Sequence, residues 1–141
     1  MFVNIRLLLR SGCDEENIYS VNKSLTNVKI YCSDFMLSEN FIDKHSFIYM
    51  DPPYRPLNKT SSFTNYSKEG FDDNDQIRLA KYYNKIDKKG AYLMLSNSST
   101  PDGFFEKLYK NYNIQTVLAN RMINCNANGR GKINELIITN Y

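Results

Sequence analysis

Four consecutive residues, Asp51-Pro52-Pro53-Tyr54, have the types and the order needed to hold a planar amino group. The carboxylate of Asp51 can accept one hydrogen of such a group, and a backbone carbonyl of the two prolines can accept the other. Proline suits this task because its ring fixes the backbone and because it brings no competing N–H group. The ring of Tyr54 offers a face on which an aromatic base can stack. The segment therefore predicts a site for an aromatic amine.

The reaction that such a site would support follows from the weakness of an aromatic amine as a nucleophile. Its lone pair is delocalised into the ring and becomes available only when the nitrogen turns pyramidal. Two acceptors that are fixed in space hold the nitrogen so that its lone pair faces the electrophile. Attack of an exocyclic amino group on an electrophilic carbon, such as the methyl group of a sulfonium, is a reaction that such a site would support.

An apolar run directly before the segment predicts the strand that positions it. Residues 46–50 read Ser-Phe-Ile-Tyr-Met and are bounded by polar residues, which is typical of a buried parallel strand. The strand must end at Asp51, because two prolines cannot continue the hydrogen-bonded ladder of a central strand. Ligands of open α/β sheets bind beyond the carboxyl ends of such strands. The position of the segment therefore agrees with its predicted chemistry.

The rest of the sequence alternates between strand and helix patterns. Runs of β-branched and apolar residues predict strands over residues 28–32, 46–50, 91–95, 114–118 and 133–139. Apolar residues at helical spacing predict helices over residues 14–26 and 72–88, a short helix or turn over 38–44, and a helix that begins at Pro101. Polar loops are predicted over residues 55–71, 96–100 and 124–132. This alternation is typical of an α/β fold with a mainly parallel sheet.

The composition limits the class of protein. The chain has 141 residues, of which 42% are hydrophobic and 23% are charged, as in an ordinary globular domain. A formal net charge of +3 permits contact with phosphates but does not require it. Three scattered cysteines and a single histidine predict neither a disulfide framework nor a zinc site, and they favour a reducing cytoplasm. The apolar start of the chain is too short and too interrupted by arginine to predict a membrane span.

Three blocks of the sequence resemble the Dam-type DNA adenine methyltransferases, the alpha group with a DPPY motif, and they occur in the order in which that family has them. Residues 51–66 resemble the catalytic motif and the loop that follows it. Residues 95–98, Leu-Ser-Asn-Ser, resemble the family's Ser-Asn turn, in which we interpret Ser96 and Asn97 as turn or supporting residues. Residues 121–138 resemble its C-terminal segment, where an Asn-rich loop precedes Lys-x-x-Glu-Leu.

The resemblance implies a Rossmann-like, S-adenosylmethionine-dependent methyltransferase fold. Residues 14–141 would form the C-terminal part of that domain, namely half of its sheet with the flanking helices. The implied reaction moves a methyl group from S-adenosylmethionine to the exocyclic amino group of adenine in duplex DNA. A short site such as GATC, and a restriction-modification or Dam-type role, are typical of the family. No metal is implied.

The resemblance also assigns roles to residues. It implies that Asp51, Pro52 and Tyr54 are catalytic, and that Asp51 lies near the methionine end of the cofactor. For the adenosine end it indicates Asp34 and Phe35, with a purely structural turn aspartate as an equal alternative for Asp34. The residues for which it implies nucleic-acid contact are Arg55, Lys59, Phe63, Tyr66, Arg130 and Lys132. Packing of the aromatic members against the domain, and a solvated basic surface, are the structural alternatives.

Two features of the family are missing from the sequence. Its members carry a Phe-x-Gly-x-Gly cofactor motif after the first strand and a basic site-reading region before the catalytic motif. Only Gly129-Arg-Gly131 has the glycine spacing, and it precedes a predicted strand instead of joining a strand to a helix. We therefore expect residues 1–13 to be an atypical leader outside the family fold. We also expect weak binding of S-adenosylmethionine unless a separate N-terminal half or partner chain completes the site.

Two other functions are compatible with the same residues. One is a methyltransferase that acts on an RNA base or a protein side-chain amide, since the local chemistry of those substrates is the same. The other is a non-catalytic, DNA-binding remnant, which the missing cofactor motif favours.

Overall fold

The computed structural model describes residues 14–55, 70–120 and 132–141. The chain divides after Asp34 into two compact units. The described part of the first unit contains helix α1 (Glu15–Ser24). The second contains a 3-10 helix (Phe35–Phe41), strand β1 (Phe47–Met50), helix α2 (Asp73–Asp87), strand β2 (Tyr92–Ser98), helix α3 (Phe104–Leu108), strand β3 (Asn113–Asn120) and strand β4 (Lys132–Thr139).

In the first unit the predicted helix is confirmed and the predicted strand is wrong. Asp14 caps α1 by accepting a hydrogen bond from the Asn17 amide at 3.1 Å. Residues 28–32 form no strand. Their β-rich composition is not sufficient, because a strand is stabilised by pairing with a neighbour and by burial of one face. Ile30, for instance, is 80% exposed, and the structure gives this segment no strand partner among the described residues.

The second unit is built on a four-stranded sheet with the order β1-β2-β4-β3. β1 and β2 are parallel, with Met50 opposite Leu95. β4 is antiparallel to both of its neighbours, β2 and β3. The predicted α/β class is confirmed, and the sheet is mixed where a mainly parallel one was predicted. The sheet is mixed because β4 lies between β2 and β3 and runs antiparallel to both of them.

Helix α2 agrees closely with the prediction over residues 72–88, because its start is encoded locally. The Asp72 carboxylate accepts hydrogen bonds from the amides of Asn74 and Asp75, at 2.8 and 3.0 Å. The Asp75 carboxylate accepts one in return from the Asp72 amide, at 3.3 Å. This reciprocal capping box satisfies backbone donors that the first turn of a helix leaves unpaired.

Other boundaries differ from the predictions for identifiable reasons. β2 continues to Ser98, so residues 96–98 belong to a strand and not to the predicted polar loop. Their polar side chains have partners inside the protein, which composition alone does not reveal. The helix predicted from Pro101 begins only at Phe104. Gly103 has a left-handed conformation with φ of 64°, which a right-handed helix cannot include. The short helix or turn predicted over 38–44 is a 3-10 helix that starts earlier, at Phe35.

The core lies between α2 and one face of the sheet. Tyr83 and Ile86 of α2 are buried against Leu93, Leu95 and Ile138 of the two central strands. α3 completes this face through Phe105, and its neighbour Tyr109 meets Tyr83 edge-on at a centroid distance of 5.3 Å. On the other face of β1, the aromatic side chains Phe47 and Tyr49 are exposed. β1 is therefore buried on one side only, where burial on both sides was predicted.

No helix within the described ranges is long and apolar enough to cross a membrane.

A matched pair of leucines tests this core. We expect Leu93→Ala to lower the free energy of unfolding by about 2–5 kcal/mol, because Leu93 is completely buried (0% exposed) and its loss leaves a cavity. The same substitution at Leu118, which is 67% exposed on β3, should change it by less than about 0.5 kcal/mol. Denaturant unfolding followed by circular dichroism measures both. Equal losses would contradict the burial of Leu93 in this core.

Candidate active site

Asp51 follows β1 directly and lies exposed at the carboxyl end of the strand. The parallel register of β1 and β2 places Ser96 beside it, and the Ser96 hydroxyl donates a hydrogen bond to Asp51 Oδ1 at 3.0 Å. The Tyr49 hydroxyl lies 3.0 Å from the same Ser96 oxygen. A line of two hydroxyls therefore orients the carboxylate while leaving it accessible at the sheet edge, where the sequence predicted it.

Tyr54 connects the segment to β4. Its hydroxyl donates a long hydrogen bond, 3.5 Å, to Glu135 Oε2. Partial burial is the main cause that raises the pKa of the Tyr54 phenol, and the carboxylates of Glu135 and Asp51 raise it further. The phenol therefore stays neutral and remains a donor. Glu135 had no assigned role in the sequence, although it lies in the Lys-x-x-Glu-Leu block.

A pair of buried amides lies beneath the segment. Gln76 of α2 donates from Nε2 to the carbonyl of Pro53 at 3.0 Å. Its Oε1 accepts a hydrogen bond from Asn97 Nδ2 at 3.2 Å. Asn97 Oδ1 accepts from the backbone N–H groups of Arg55, at 3.3 Å, and of Ser98, at 2.9 Å. Asn97 is thus a supporting residue, as predicted from the Ser-Asn pattern.

Gln76 was missed in the sequence, although a signal for it exists. It lies one helical turn before Leu79 and Ala80, on the face that α2 buries, so it places a primary amide in line with apolar side chains. Buried polar groups of this kind are paired, because an unpaired one is costly. A glutamine on the apolar face of a helix therefore indicates a partner elsewhere in the fold.

Arg55 has ionic partners within the chain. Its guanidinium contacts both Asp73 oxygens, at 2.7 and 2.9 Å, and Asp102 Oδ2 at 2.6 Å. It also lies 4.3 Å from the ring centroid of Phe104. A hydrogen bond from Thr100, followed by the contact with Arg55, lowers the pKa of Asp102 to about 2. The backbone of Arg55 is held as well, since its carbonyl accepts from the Ser98 hydroxyl at 2.8 Å.

The other predicted site residues are distributed as follows. Asp34 is an exposed residue of the first unit. Phe35 begins the 3-10 helix of the second unit, where its ring packs against Tyr82 at 5.3 Å and beneath the guanidinium of Arg78 at 4.5 Å. Lys132 is the first residue of β4. Four predicted nucleic-acid contacts lie outside the described residues: Lys59, Phe63, Tyr66 and Arg130. Within the described part of the chain, no group of three or more His, Cys, Asp or Glu side chains could hold a metal ion.

Comparison with known proteins agrees with this arrangement. The chain is 58% identical over 129 residues to the Type II methyltransferase M.MjaIII of Methanocaldococcus jannaschii, a match that covers 91% of this chain and 44% of that protein. It is 44% identical over 130 residues to the Type II methyltransferase M1.LlaDCHI of Lactococcus lactis subsp. cremoris, covering 91% and 45%. It is 41% identical over 93 residues to a DNA adenine methylase of Vibrio cholerae, covering 65% and 33%.

The chain thus spans less than half the length of each of these relatives. The profile of the D12 class N6 adenine-specific DNA methyltransferases matches residues 8–123, which include the strand β1, the Asp51 segment and the buried amides beneath it. Since the match covers most of the chain, the chain belongs to the family of adenine-specific DNA methyltransferases.

Proposed function

We propose that this chain forms the catalytic segment of an enzyme that methylates the exocyclic amino group of adenine in duplex DNA. The observation that carries the proposal is the exposed Asp51 carboxylate, held by Ser96 at the carboxyl end of β1. A short recognition site such as GATC, and a restriction-modification or Dam-type role, follow from the resemblance. The names of the relatives, Type II methyltransferase and DNA adenine methylase, support the restriction-modification or Dam-type role.

The two hydrogen acceptors can be assigned to particular atoms. Ser96 binds Oδ1 of Asp51 and so sets the direction of Oδ2, which we assign to one amino hydrogen. The Pro53 carbonyl already accepts from Gln76, so we assign the second hydrogen to the carbonyl of Pro52. Together they hold the nitrogen pyramidal, with its lone pair toward the methyl donor. As the N–C bond forms, the C–S bond of the donor would break and leave a neutral thioether, and the proton that the nitrogen loses would pass to the accessible carboxylate of Asp51.

The methyl donor in this proposal is S-adenosylmethionine, which supplies an electrophilic methyl group on a positively charged sulfur. An exposed carboxylate at the end of β1 fits a ligand that carries positive charge. Asp51 would lie near its methionine end, and Asp34 and Phe35 near its adenosine. The remaining strands of a Rossmann-like sheet, with the Gly-rich cofactor motif, would come from a separate N-terminal half or partner chain.

The proposed DNA contacts are of two kinds, to the target adenine and to the surrounding nucleotides. Tyr54 would stack on an adenine that has been turned out of the duplex, with its hydroxyl directed to Glu135. Lys59, Phe63, Tyr66, Arg130 and Lys132 would contact the base and neighbouring phosphates. Arg55 would reach a phosphate only as a third partner, because its guanidinium already binds two carboxylates.

Replacing the carboxylate tests the reaction. We expect Asp51→Asn to lower kcat for methyl transfer at least about 100-fold, because it removes a charged acceptor that is fixed toward the reacting nitrogen. The chain would be combined with the portion of M.MjaIII that lies outside the match. Transfer of a labelled methyl group to a duplex containing GATC would then be compared with transfer to RNA.

The matched control is Asp14→Asn, since asparagine caps a helix as well as aspartate does and Asp14 caps α1. It should retain the wild-type rate. Activity of Asp51→Asn equal to that of the control, or methylation of RNA in preference to duplex DNA, would contradict the proposal. DNA binding by the wild-type assembly without any methyl transfer would instead support a non-catalytic remnant.

Cofactor binding provides a second test. We expect the chain by itself to bind S-adenosylmethionine weakly, because the family's Phe-x-Gly-x-Gly cofactor motif is missing from its sequence. Isothermal titration of the chain, with and without the complementary portion of M.MjaIII, measures the difference. Tight binding by the chain alone would show that its own residues form a complete cofactor site.

A further inference from the structure

Two primary amides, those of Gln76 and Asn97, are buried next to the segment that follows β1, and their burial in an apolar core has to be explained. Gln76 is 1% exposed and Asn97 is 0% exposed, and both lie in line with the apolar residues of the core. Burying an amide costs free energy unless its donors and acceptors are paired. At these positions an apolar residue would pack with less risk of an unpaired group. The partners of the two amides therefore indicate what the pair does.

Those partners determine the orientation of both amides. A carbonyl only accepts, so Gln76 must present its Nε2 to the oxygen of Pro53. Its Oε1 is then left for the N–H of Asn97, and Asn97 must present Oδ1 to the backbone N–H of Arg55. Reversal of either amide would bring two donors or two acceptors face to face. These hydrogen bonds form a relay that runs between Pro53 and Arg55 through Gln76 and Asn97. The relay has one allowed direction, and its two ends are the two neighbours of Tyr54.

A third contact completes the hold on this backbone. The Ser98 hydroxyl donates to the Arg55 carbonyl at 2.8 Å, and Ser98 is itself buried. The Pro53 carbonyl, the Arg55 N–H and the Arg55 carbonyl are thus all bound by side chains of α2 and β2. The proline rings restrict the backbone just before this point. The backbone of Tyr54 is consequently fixed on both sides, through Pro53 and through Arg55. The carbonyl of Pro52, which precedes Pro53, is fixed with it.

We propose that Gln76 and Asn97 are positioning residues for methyl transfer, which hold the backbone around Tyr54 so that the Pro52 carbonyl and the Tyr54 ring meet the target base in a fixed geometry. The proposal rests on the proposed function only in that this backbone is the catalytic one. A displacement of about 1 Å at a reacting centre can reduce a rate about 100-fold, so a remote hydrogen bond of this kind has a large effect on kcat.

One substitution changes a single bond of the relay. Gln76→Glu keeps an oxygen that accepts from Asn97, but in its ionised form it presents an acceptor to the Pro53 carbonyl instead of a donor. Gln76→Met removes both bonds without introducing a charge, and it serves as the second variant if the first unfolds. Gln115→Glu is the matched control, because Gln115 is exposed on β3 and undergoes the same chemical change.

The first measurement needs no substrate. In the chain itself, NMR detects exchange of the Arg55 amide hydrogen with solvent. We expect exchange to become about tenfold faster in Gln76→Glu and Gln76→Met, the factor that corresponds to loss of a hydrogen bond of ordinary strength. The amide of Leu95, which lies within β2, should exchange at its wild-type rate in all variants. An unchanged Arg55 rate in both variants would overturn the proposal.

The second measurement separates positioning from binding. In the assembly with the complementary portion of M.MjaIII, assayed below the unfolding temperature of every variant, we expect both Gln76 variants to lower kcat about 100-fold while KM for DNA stays near that of Gln115→Glu. A wild-type kcat despite faster Arg55 exchange would also overturn the proposal. If the wild-type assembly transfers no methyl group, the proposed function fails, and the exchange rates still decide whether Gln76 holds this backbone.

Discussion

The register between β1 and β2 is the constraint on which the site depends. Met50 lies opposite Leu95, so the next two residues, Asp51 and Ser96, meet where the backbone pairing ends. Side chains alternate along each strand, and a slip by one residue would turn Ser96 toward the face that packs on α2 and turn Leu95 away from it. The hydrophobic core therefore selects the register, and the register brings the hydroxyl to the carboxylate. Packing energy and the geometry of the proposed catalytic site are coupled through a single strand pair.

The core changes from apolar to polar along two rows that run in parallel. On β2 the row that faces α2 passes from Leu93 and Leu95 to Asn97, and on α2 the buried face passes from Tyr83 back to Gln76. The amide pair forms where both rows reach the carboxyl end of the sheet. A polar layer in a core stabilises less than an apolar one, but its hydrogen bonds have direction. Direction is what the backbone after β1 requires.

The parts of the site that could be predicted from sequence are those that local residues determine. An apolar run followed by Asp51 and two prolines predicts a strand, its end and an exposed carboxylate. Gln76 could not be found in this way, because its partner Pro53 is 23 positions away in the sequence. Residues 96–98 resemble a loop in composition until their partners are known. Residues 28–32 resemble a strand, but the described structure supplies no neighbour to pair with them.

Arg55 shows how a charge in a motif acquires a structural role. A guanidinium next to the proposed catalytic segment suggests a phosphate contact. However, Asp73 and Asp102 both bind it, and their negative charges would oppose an approaching phosphate. These ion pairs tie residue 55 to the start of α2 and to the turn before α3. With the buried amides and Ser98, they make the segment after β1 an extension of the core. A reaction that needs two acceptors fixed in space requires such a support, because acceptors on an unsupported loop would not hold a nitrogen pyramidal.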